Sequence, residues 1–461
     1  MTENSGGRPV RAFFLKALGL EHNLGPANDE GLTDLVSAVG RGSVGSVGVK
    51  VGNLALGAAT TIILARVLGP ESYGVYAWAY ALVTVLAIPA RLGLSQLLVR
   101  EISAYQLKEK WSLLRGLLTR ANQIVLVSSA LLAGVAVAAM FVFAGRLSSV
   151  EVVTLGWGLA LLPLMALGEL RGAALRGLRR VVLGQLPDLV LRPGFLVLFV
   201  GAAALTVELS SDTAMALHSA AAGLAFVIGA ALLLHFLPDD AKSVEPEFET
   251  REWVSSAVPL GLVSGMHVIN SRADIVLLGF MGPSEEVGLY QVAVKAAMLV
   301  TFALSALNMV IAPYISRLYS DEEFEQLQKL LTASARGVLW AALPVATVLI
   351  VFGDWILEFV FGVEYVAGHV PLIVLCVGKL VNVGGGSVAT LMNMTGNERD
   401  TAIGMTAAAG LNIVLNIILI PYWGMAGAAV ATVVTFLTWN VFLCYRAYEE
   451  LGVFTTPIYR G

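Results

Sequence analysis

LARVLGPESYGVY at residues 64–76 and LLGFMGPSEEVGLY at residues 277–290 are the two stretches that decide the fold. In each, an apolar run ends at Gly-Pro and a Gly-x-Tyr follows. Gly69-Pro70 precedes Gly74 and Tyr76; Gly282-Pro283 precedes Gly288 and Tyr290. The offset is 213 at the Gly-Pro pair and 214 at the Gly-x-Tyr, a one-residue insertion. Further along, Arg100 and Arg317 match at an offset of 217, and Gly177 and Gly396 at 219. A slowly growing offset is what duplication with small insertions produces. Pro suits the first turn of a helix and Gly a tight approach, so each stretch reads as a sharp turn between two apolar helices.

The rest of the chain is as apolar as these turns require. Of 461 residues, 57% are hydrophobic and only 13% charged, and the mean hydropathy is +0.79. A soluble domain carries about 25% charge. This composition excludes an ordinary soluble enzyme, a nucleic-acid binder and a disordered chain. A formal net charge of −4 gives no electrostatic footprint for nucleic acid. Cys376 and Cys444 lie in apolar runs, and the histidines are scattered, so no disulfide, metal or other cofactor is expected. What remains is an all-α polytopic membrane protein. Apolar segments of about 20 residues recur about 12 times. They group into a six-helix half over residues 46–237 and a second over 253–446, around a central cavity. The acidic linker 238–252 separates the halves. Residues 1–45 form a tail with an amphipathic run at Ala12–Leu20 and another at Gly31–Val39, and 447–461 form a second tail.

Cations set the orientation. Counting Arg100 to Arg120, Arg171 to Arg180, Lys242, Arg251, Arg317, Lys329, Arg336, Arg399 and both tails, 21 of the 29 lie on one side. The opposite loops hold only Arg66 and Arg146. Both termini are therefore expected in the cytoplasm. Six spans per half make the halves parallel repeats, whose substrate sites lie at the interface near midplane.

Ionisable groups inside spans are costly, so each is a functional-site hypothesis. Lys50, Arg91, Arg192, Arg272, Lys295 and Lys379 stand against Asp188 and Asp274, six cations to two anions. That excess suits an anionic ligand, since guanidinium and ammonium groups bind phosphate oxygens well. Arg272 is the first choice of phosphate ligand. Lys379 sits beside Asn382 and the glycines 384–386. Lys50 is equally open to snorkelling, and Asn53, one turn on, to an interhelical hydrogen bond. Asp274 is open to two roles, a structural partner of Lys295 or an ion-coupling site. Asp188 and Arg192 are spaced i, i+4 and read as an intrahelical ion pair.

The motif L-A-R-x-L-G-P-x-x-Y-G-x-Y at 64–76 resembles the first hairpin of polysaccharide (O-antigen type) flippases. So do Asp274-x-x-x-Leu278-Gly279 running into Gly288-x-Tyr290 and Lys295, LMNMTGN at 391–397, and LNIVLNIILIPYWGMAGAAVAT at 411–432. Those flippases belong to the multidrug/oligosaccharidyl-lipid/polysaccharide exporter superfamily, with the lipid II flippases and MATE drug exporters. The resemblance covers roughly residues 42–446. It implies movement of a lipid-pyrophosphate-linked oligosaccharide from the cytoplasmic to the outer leaflet of the cell membrane. The driving force is expected from an ion gradient, the membrane potential, or removal of product by a polysaccharide polymerase outside. Arg91 departs from it, because the family often carries an acidic residue before this Leu-Gly-Leu.

No bond-making chemistry is expected, and no G-x-x-x-x-G-K-[ST] loop supplies a nucleotide. A drug/ion antiporter predicts a cavity dominated by Asp and Glu. A membrane glycosyltransferase or polymerase predicts paired carboxylates on a large outer loop, where only Asp354, Glu358 and Glu364 cluster.

Overall fold

The computed structural model describes residues 29–457 apart from 144 and 146, with the side chains of 29–44 and 47 left aside. Among the described residues every regular element is helical. The first group is α1 (Asp29–Arg91), α2 (Leu94–Leu107), α3 (Trp111–Val142), α4 (Ser149–Gly177), α5 (Val181–Leu186), α6 (Arg192–Ala204) and α7 (Ser211–Phe236). The short α8 (Asp239–Ser243) lies in the linker. After it come α9 (Thr250–Met281), α10 (Ser284–Ala297), α11 (Phe302–Ser320), α12 (Phe324–Val351), α13 (Gly353–Phe361), α14 (His369–Gly384), α15 (Val388–Met394) and α16 (Glu398–Leu451).

Nine helical runs among the described residues are long and apolar enough to cross a membrane. The two longest each exceed twice the thickness of the hydrocarbon core. Gly48–Arg91 has 44 residues and Glu398–Leu451 has 54, or about 66 and 81 Å at 1.5 Å per residue, against a hydrocarbon core of about 30 Å. Each is broken at one glycine with non-helical backbone: Gly69 (φ 70, ψ 170) and Gly424 (φ 52, ψ −133). A positive φ is open to glycine at little cost. The α16 break makes a hairpin with a clear antiparallel register. Gly404 faces Phe442, Asn412 Nδ2 donates to Thr435 Oγ1 at 3.4 Å, and Gly427 packs on Leu419. The 32-residue α9 is not one of the nine; Asn270, Ser271, Arg272 and Asp274 interrupt its apolar run.

The run at Ala12–Leu20 lies outside the described residues, as do Arg146 and Arg460. The run at Gly31–Val39 is not a separate amphipathic element. It is the start of α1, which continues unbroken to Gly69.

The Gly-Pro turns of α1 and of the α9–α10 connection meet at one end of the molecule, called here the turn end. A Cβ on Gly74 would lie 1.7 Å from the Ser284 carbonyl oxygen, and one on Gly288 would lie 2.1 Å from that of Pro70. The two repeat-matched glycines thus face each other in backbone-to-backbone contact that no larger residue permits. Arg66 closes the same end. Its Nε donates to the Val360 carbonyl at 2.8 Å, and Nη2 donates to that of Phe359. Those carbonyls are at the C-terminal end of α13, where the helix favours a cation. Tyr365, buried, donates to the Ala65 carbonyl at 2.8 Å. The opposite, basic end carries Arg100, Arg180, Arg251 and Arg336. Between the ends, α1 after Gly69 runs antiparallel to α9, with Trp78 on Gly279, Ile88 on Gly265 and Gly93 on Gly261.

Candidate functional site

Helical rise gives the depth of each intramembrane charge. Arg272 lies ten residues from Gly282, Lys379 ten from His369, and Lys295 twelve from Pro283. All three sit about 15–18 Å from the turn end, near the middle of a 30 Å core. Lys50 lies nineteen residues from Gly69 and Arg91 twenty-one from Pro70, so both are about 28–32 Å away, toward the basic end. The seven site residues read from the sequence therefore separate into two levels.

The mid-depth level holds Arg272, Asp274, Lys295 and Lys379. Arg272 interacts electrostatically with Lys295, and Asp274 with both Arg272 and Lys379. Among the described residues none of the three cations makes a hydrogen bond or an ion pair. Arg272 instead rests over the Tyr80 ring, 5.8 Å from its centroid. Lys379 Nζ lies 4.4 Å from the Phe436 centroid. A ring face gives a cation about 0.5–2 kcal/mol without a carboxylate. Three cations against one carboxylate leave excess positive charge in a low-dielectric setting, an arrangement that a doubly charged anion relieves.

Asp274 does not pair with Lys295. Its Oδ2 accepts from the Tyr290 hydroxyl at 2.7 Å and its Oδ1 from the Ile275 amide at 2.8 Å. Tyr290 also lies 3.4 Å from Thr432 Oγ1. Asp274 and Tyr290 are both buried, and Lys295 is half-buried. A second polar cluster follows on α16. Asn416 Nδ2 donates to the Asn412 carbonyl at 2.8 Å and to Asn412 Oδ1 at 3.1 Å. Asn412 and Asn416 were legible only as part of the LNIVLN resemblance, not as buried hydrogen-bonding groups.

The N-terminal half contributes a row of tyrosines along α1, of which the half-buried Tyr80, ten residues from Pro70, reaches this depth while Tyr73 and Tyr76 are buried nearer the turn end. Tyr73, Tyr76 and Tyr80 stack in sequence, with centroids 6.3 Å apart at each step. Tyr76 Oη and His218 Nδ1 share a hydrogen bond of 2.8 Å, and His218 lies 5.0 Å from the Tyr80 ring. The spacing 73, 76, 80 is a helical-face signal that went unused; His218 carries no local signal at all.

At the basic end, Arg91 is already neutralised. It pairs with Glu169 of α4, and its Nε donates to the Ala87 carbonyl at 2.9 Å. The pair borders a cavity of about 710 Å³ that Gln96, Ser264, His267 and Arg399 also line. Lys50 is exposed and reaches Met309 Sδ of α11 at 3.7 Å. Asn53 is half-buried one turn on. These three residues stand apart from the Arg272 level.

The expected Asp188–Arg192 ion pair is absent among the described residues. Pro187–Leu191 form a π-helical turn, which widens the winding and takes i and i+4 off a common face. Asp188 instead turns its carboxylate toward Gly168 of α4. Asp354, of the carboxylate cluster with Glu358 and Glu364, pairs with His369 Nδ1 at 2.7 Å. No group of three potential metal ligands occurs among the described residues.

The fold is shared with known transporters. The chain superimposes on an inward-facing multidrug resistance MATE family transporter with a TM-score of 0.71 and 15% identity, over 87% of this chain and 94% of the other. It superimposes on the lipid II flippase MurJ, in an inward closed conformation, with a TM-score of 0.70 and 15% identity, over 88% and 87%. In sequence it is 27% identical over 383 residues to the probable low-salt glycan biosynthesis flippase Agl15 of Haloferax volcanii, covering 81% of this chain and 75% of that one. The family model for polysaccharide biosynthesis proteins matches residues 39–319. The chain therefore belongs to the polysaccharide biosynthesis protein family.

Proposed function

We propose that this protein moves a lipid-pyrophosphate-linked oligosaccharide from the cytoplasmic to the outer leaflet by alternating access, making and breaking no covalent bond. The observation that carries this reading is the mid-depth trio Arg272, Lys295 and Lys379, three cations to one carboxylate, two of them resting on aromatic rings. In this reading the trio receives the pyrophosphate, Tyr80 meets the sugar rings, and the lipid tail stays in the bilayer. Lys50, Asn53 and Arg91 line the approach from the basic end, with Glu169 holding Arg91 until the ligand arrives. Asp274, fixed by Tyr290, is the proposed coupling-ion group.

The topology that goes with this function has twelve spans. It counts α9 and divides the runs Gly48–Arg91 and Glu398–Leu451 at their glycines. Residues 46–237 and 253–446 are the two halves, 238–252 the linker, and both tails, 1–45 and 447–461, are cytoplasmic. The basic end then faces inward in the cell membrane, as the distribution of Lys and Arg requires. A polysaccharide polymerase on the outer side is the proposed consumer of the product. The MATE-like fold by itself suits a drug antiporter equally well. The cation excess opposes a cationic drug as ligand.

A direct test uses farnesyl diphosphate and farnesol as paired probes with the purified protein. Binding of the diphosphate but not the alcohol supports the reading. Equal binding of both, or binding of cationic dyes instead, removes its basis.

With the turn end outside, Arg66 is an outer latch. Arg66→Ala removes two charge-assisted hydrogen bonds, worth about 1–2 kcal/mol after discounting for exposure, and so shifts the balance toward the outward-open form by roughly 5- to 30-fold. The expected result is faster labelling of a Tyr80→Cys thiol by an impermeant maleimide added outside. An unchanged rate would mean that the latch does not hold the outer gate.

A further inference from the structure

Helix α14 ends at a glycine triplet. Residues 385–387 turn before α15 resumes the direction, and Gly386 adopts a left-handed φ of +67°. The second limb of α16 runs parallel to this break, rung by rung. Lys379 meets Phe436 at 4.4 Å, Asn382 Oδ1 accepts from Asn440 Nδ2 at 3.1 Å, and the Gly385 carbonyl lies 4.0 Å from Cys444 Sγ. The chain beyond Leu451 supplies the next rung. It turns at Gly452, with φ +67°, and folds back so that Val453 and Thr455 are buried.

That returning segment is held by side chains of α12. Gln328 pairs with the Phe454 peptide through both ends of its amide: Nε2 donates to the Phe454 carbonyl at 2.7 Å, and Oε1 accepts from the Phe454 amide at 2.7 Å. Arg336 Nε donates to the Pro457 carbonyl at 2.9 Å. The segment in turn presses on the break. A Cβ at Gly386 would lie 2.3 Å from the Thr455 carbonyl oxygen. Thr455 Oγ1 is 3.5 Å from Cys444 Sγ. The Gln328 bonds to the Phe454 peptide are exposed, so the amide takes the place that water would fill on a free tail.

We propose that residues 452–457 are a positioning strap for Lys379. Clamped by Gln328, the strap sets the angle of the Gly385–Gly386 break and with it the height at which α14 presents Lys379 to the ligand. This rests on the reading of Lys379 as a ligand for the lipid pyrophosphate. Six residues separate Lys379 from Gly385, so the break lies only about 9 Å along the helix axis from Lys379 and a change in its angle tilts the turn that carries the ammonium.

Two readouts test the strap. In a Cys376→Ala background, Cys444 is the one remaining thiol of the sequence. Its alkylation by N-ethylmaleimide is slow while Thr455 covers it, and rises about tenfold or more in Gln328→Ala and in a chain ending at Gly452. The second readout is the Kd for tritiated farnesyl diphosphate in nanodiscs. Gln328→Ala weakens it about 5- to 10-fold when Lys379 is present and less than about twofold in Lys379→Ala, because both changes act through one group. Unchanged alkylation shows that the strap does not cover the break, and additive losses show that it does not act through Lys379; either overturns the proposal. Absence of binding by the unaltered protein overturns the anion-site reading itself, and the positioning role falls with it.

Discussion

Arg272→Ala is expected to weaken lipid-diphosphate binding by roughly 10- to 150-fold, the equivalent of one charge-assisted hydrogen bond of about 1.5–3 kcal/mol lost from a poorly solvated site. Lys379→Ala should act in the same direction, and Arg272→Glu should abolish binding. Arg272→Lys should fall between, since an ammonium keeps the charge but not the two-pronged geometry of the guanidinium. The fold should survive these changes. Both cations rest on aromatic faces rather than in ion pairs, and the carboxylate they influence, Asp274, keeps its hydrogen bonds from Tyr290 and Ile275 when either is removed. Thermal midpoints close to that of the unaltered protein, with farnesyl diphosphate titrations shifted as stated, are the expected pair of measurements. Folded variants that bind normally would show that the anion sits elsewhere.

The second large effect concerns the seam at the turn end. A Cβ at Gly74 falls 1.7 Å from the Ser284 carbonyl, and one at Gly288 falls 2.1 Å from the Pro70 carbonyl. Both obstacles are backbone, so no side-chain rotation relieves them. Gly74→Val and Gly288→Val should each cost more than the about 1–3 kcal/mol typical of overpacking. The cost is avoided only if the two turns part. With the turn end outside, these variants should occupy the outward-open form, with the Tyr80→Cys thiol labelled from outside at a rate above that of Arg66→Ala. Labelling at the rate of the unaltered seam, in a protein of normal thermal midpoint, would mean that the contact is not closed in the membrane.

Much of this was legible in the residues. The Gly-Pro turns at 69–70 and 282–283 announced a repeat, and their matched glycines at 74 and 288 are the ones that meet in space. Depth was also legible: counting residues from the turns puts Arg272, Lys295 and Lys379 on one level. Partners were not. Asp274 was weighed against Lys295 because both are charged, yet a neutral Tyr290 sixteen residues on satisfies it. Hairpin geometry decides that, and charge does not report it. Arg91 and Glu169 are seventy-eight residues apart, and only the packing of α1 on α4 brings them together. The i, i+4 rule failed at Asp188 and Arg192 because it assumes α-helical winding, and Pro187 opens a π turn there. The strap was invisible for a different reason. Gly452 and Thr455 follow the last apolar run and read as a solvated tail, and only Gln328 on a distant helix shows where the tail returns.

The central claim is movement of a lipid-linked sugar through a cationic cavity. It is tested most directly by translocation of a labelled polyprenyl-pyrophosphate oligosaccharide in proteoliposomes containing the purified protein. The expected result is protein-dependent appearance of the headgroup in the opposite leaflet, lost in Arg272→Glu. If folded protein moves no headgroup across varied sugars and ion gradients, the account is contradicted.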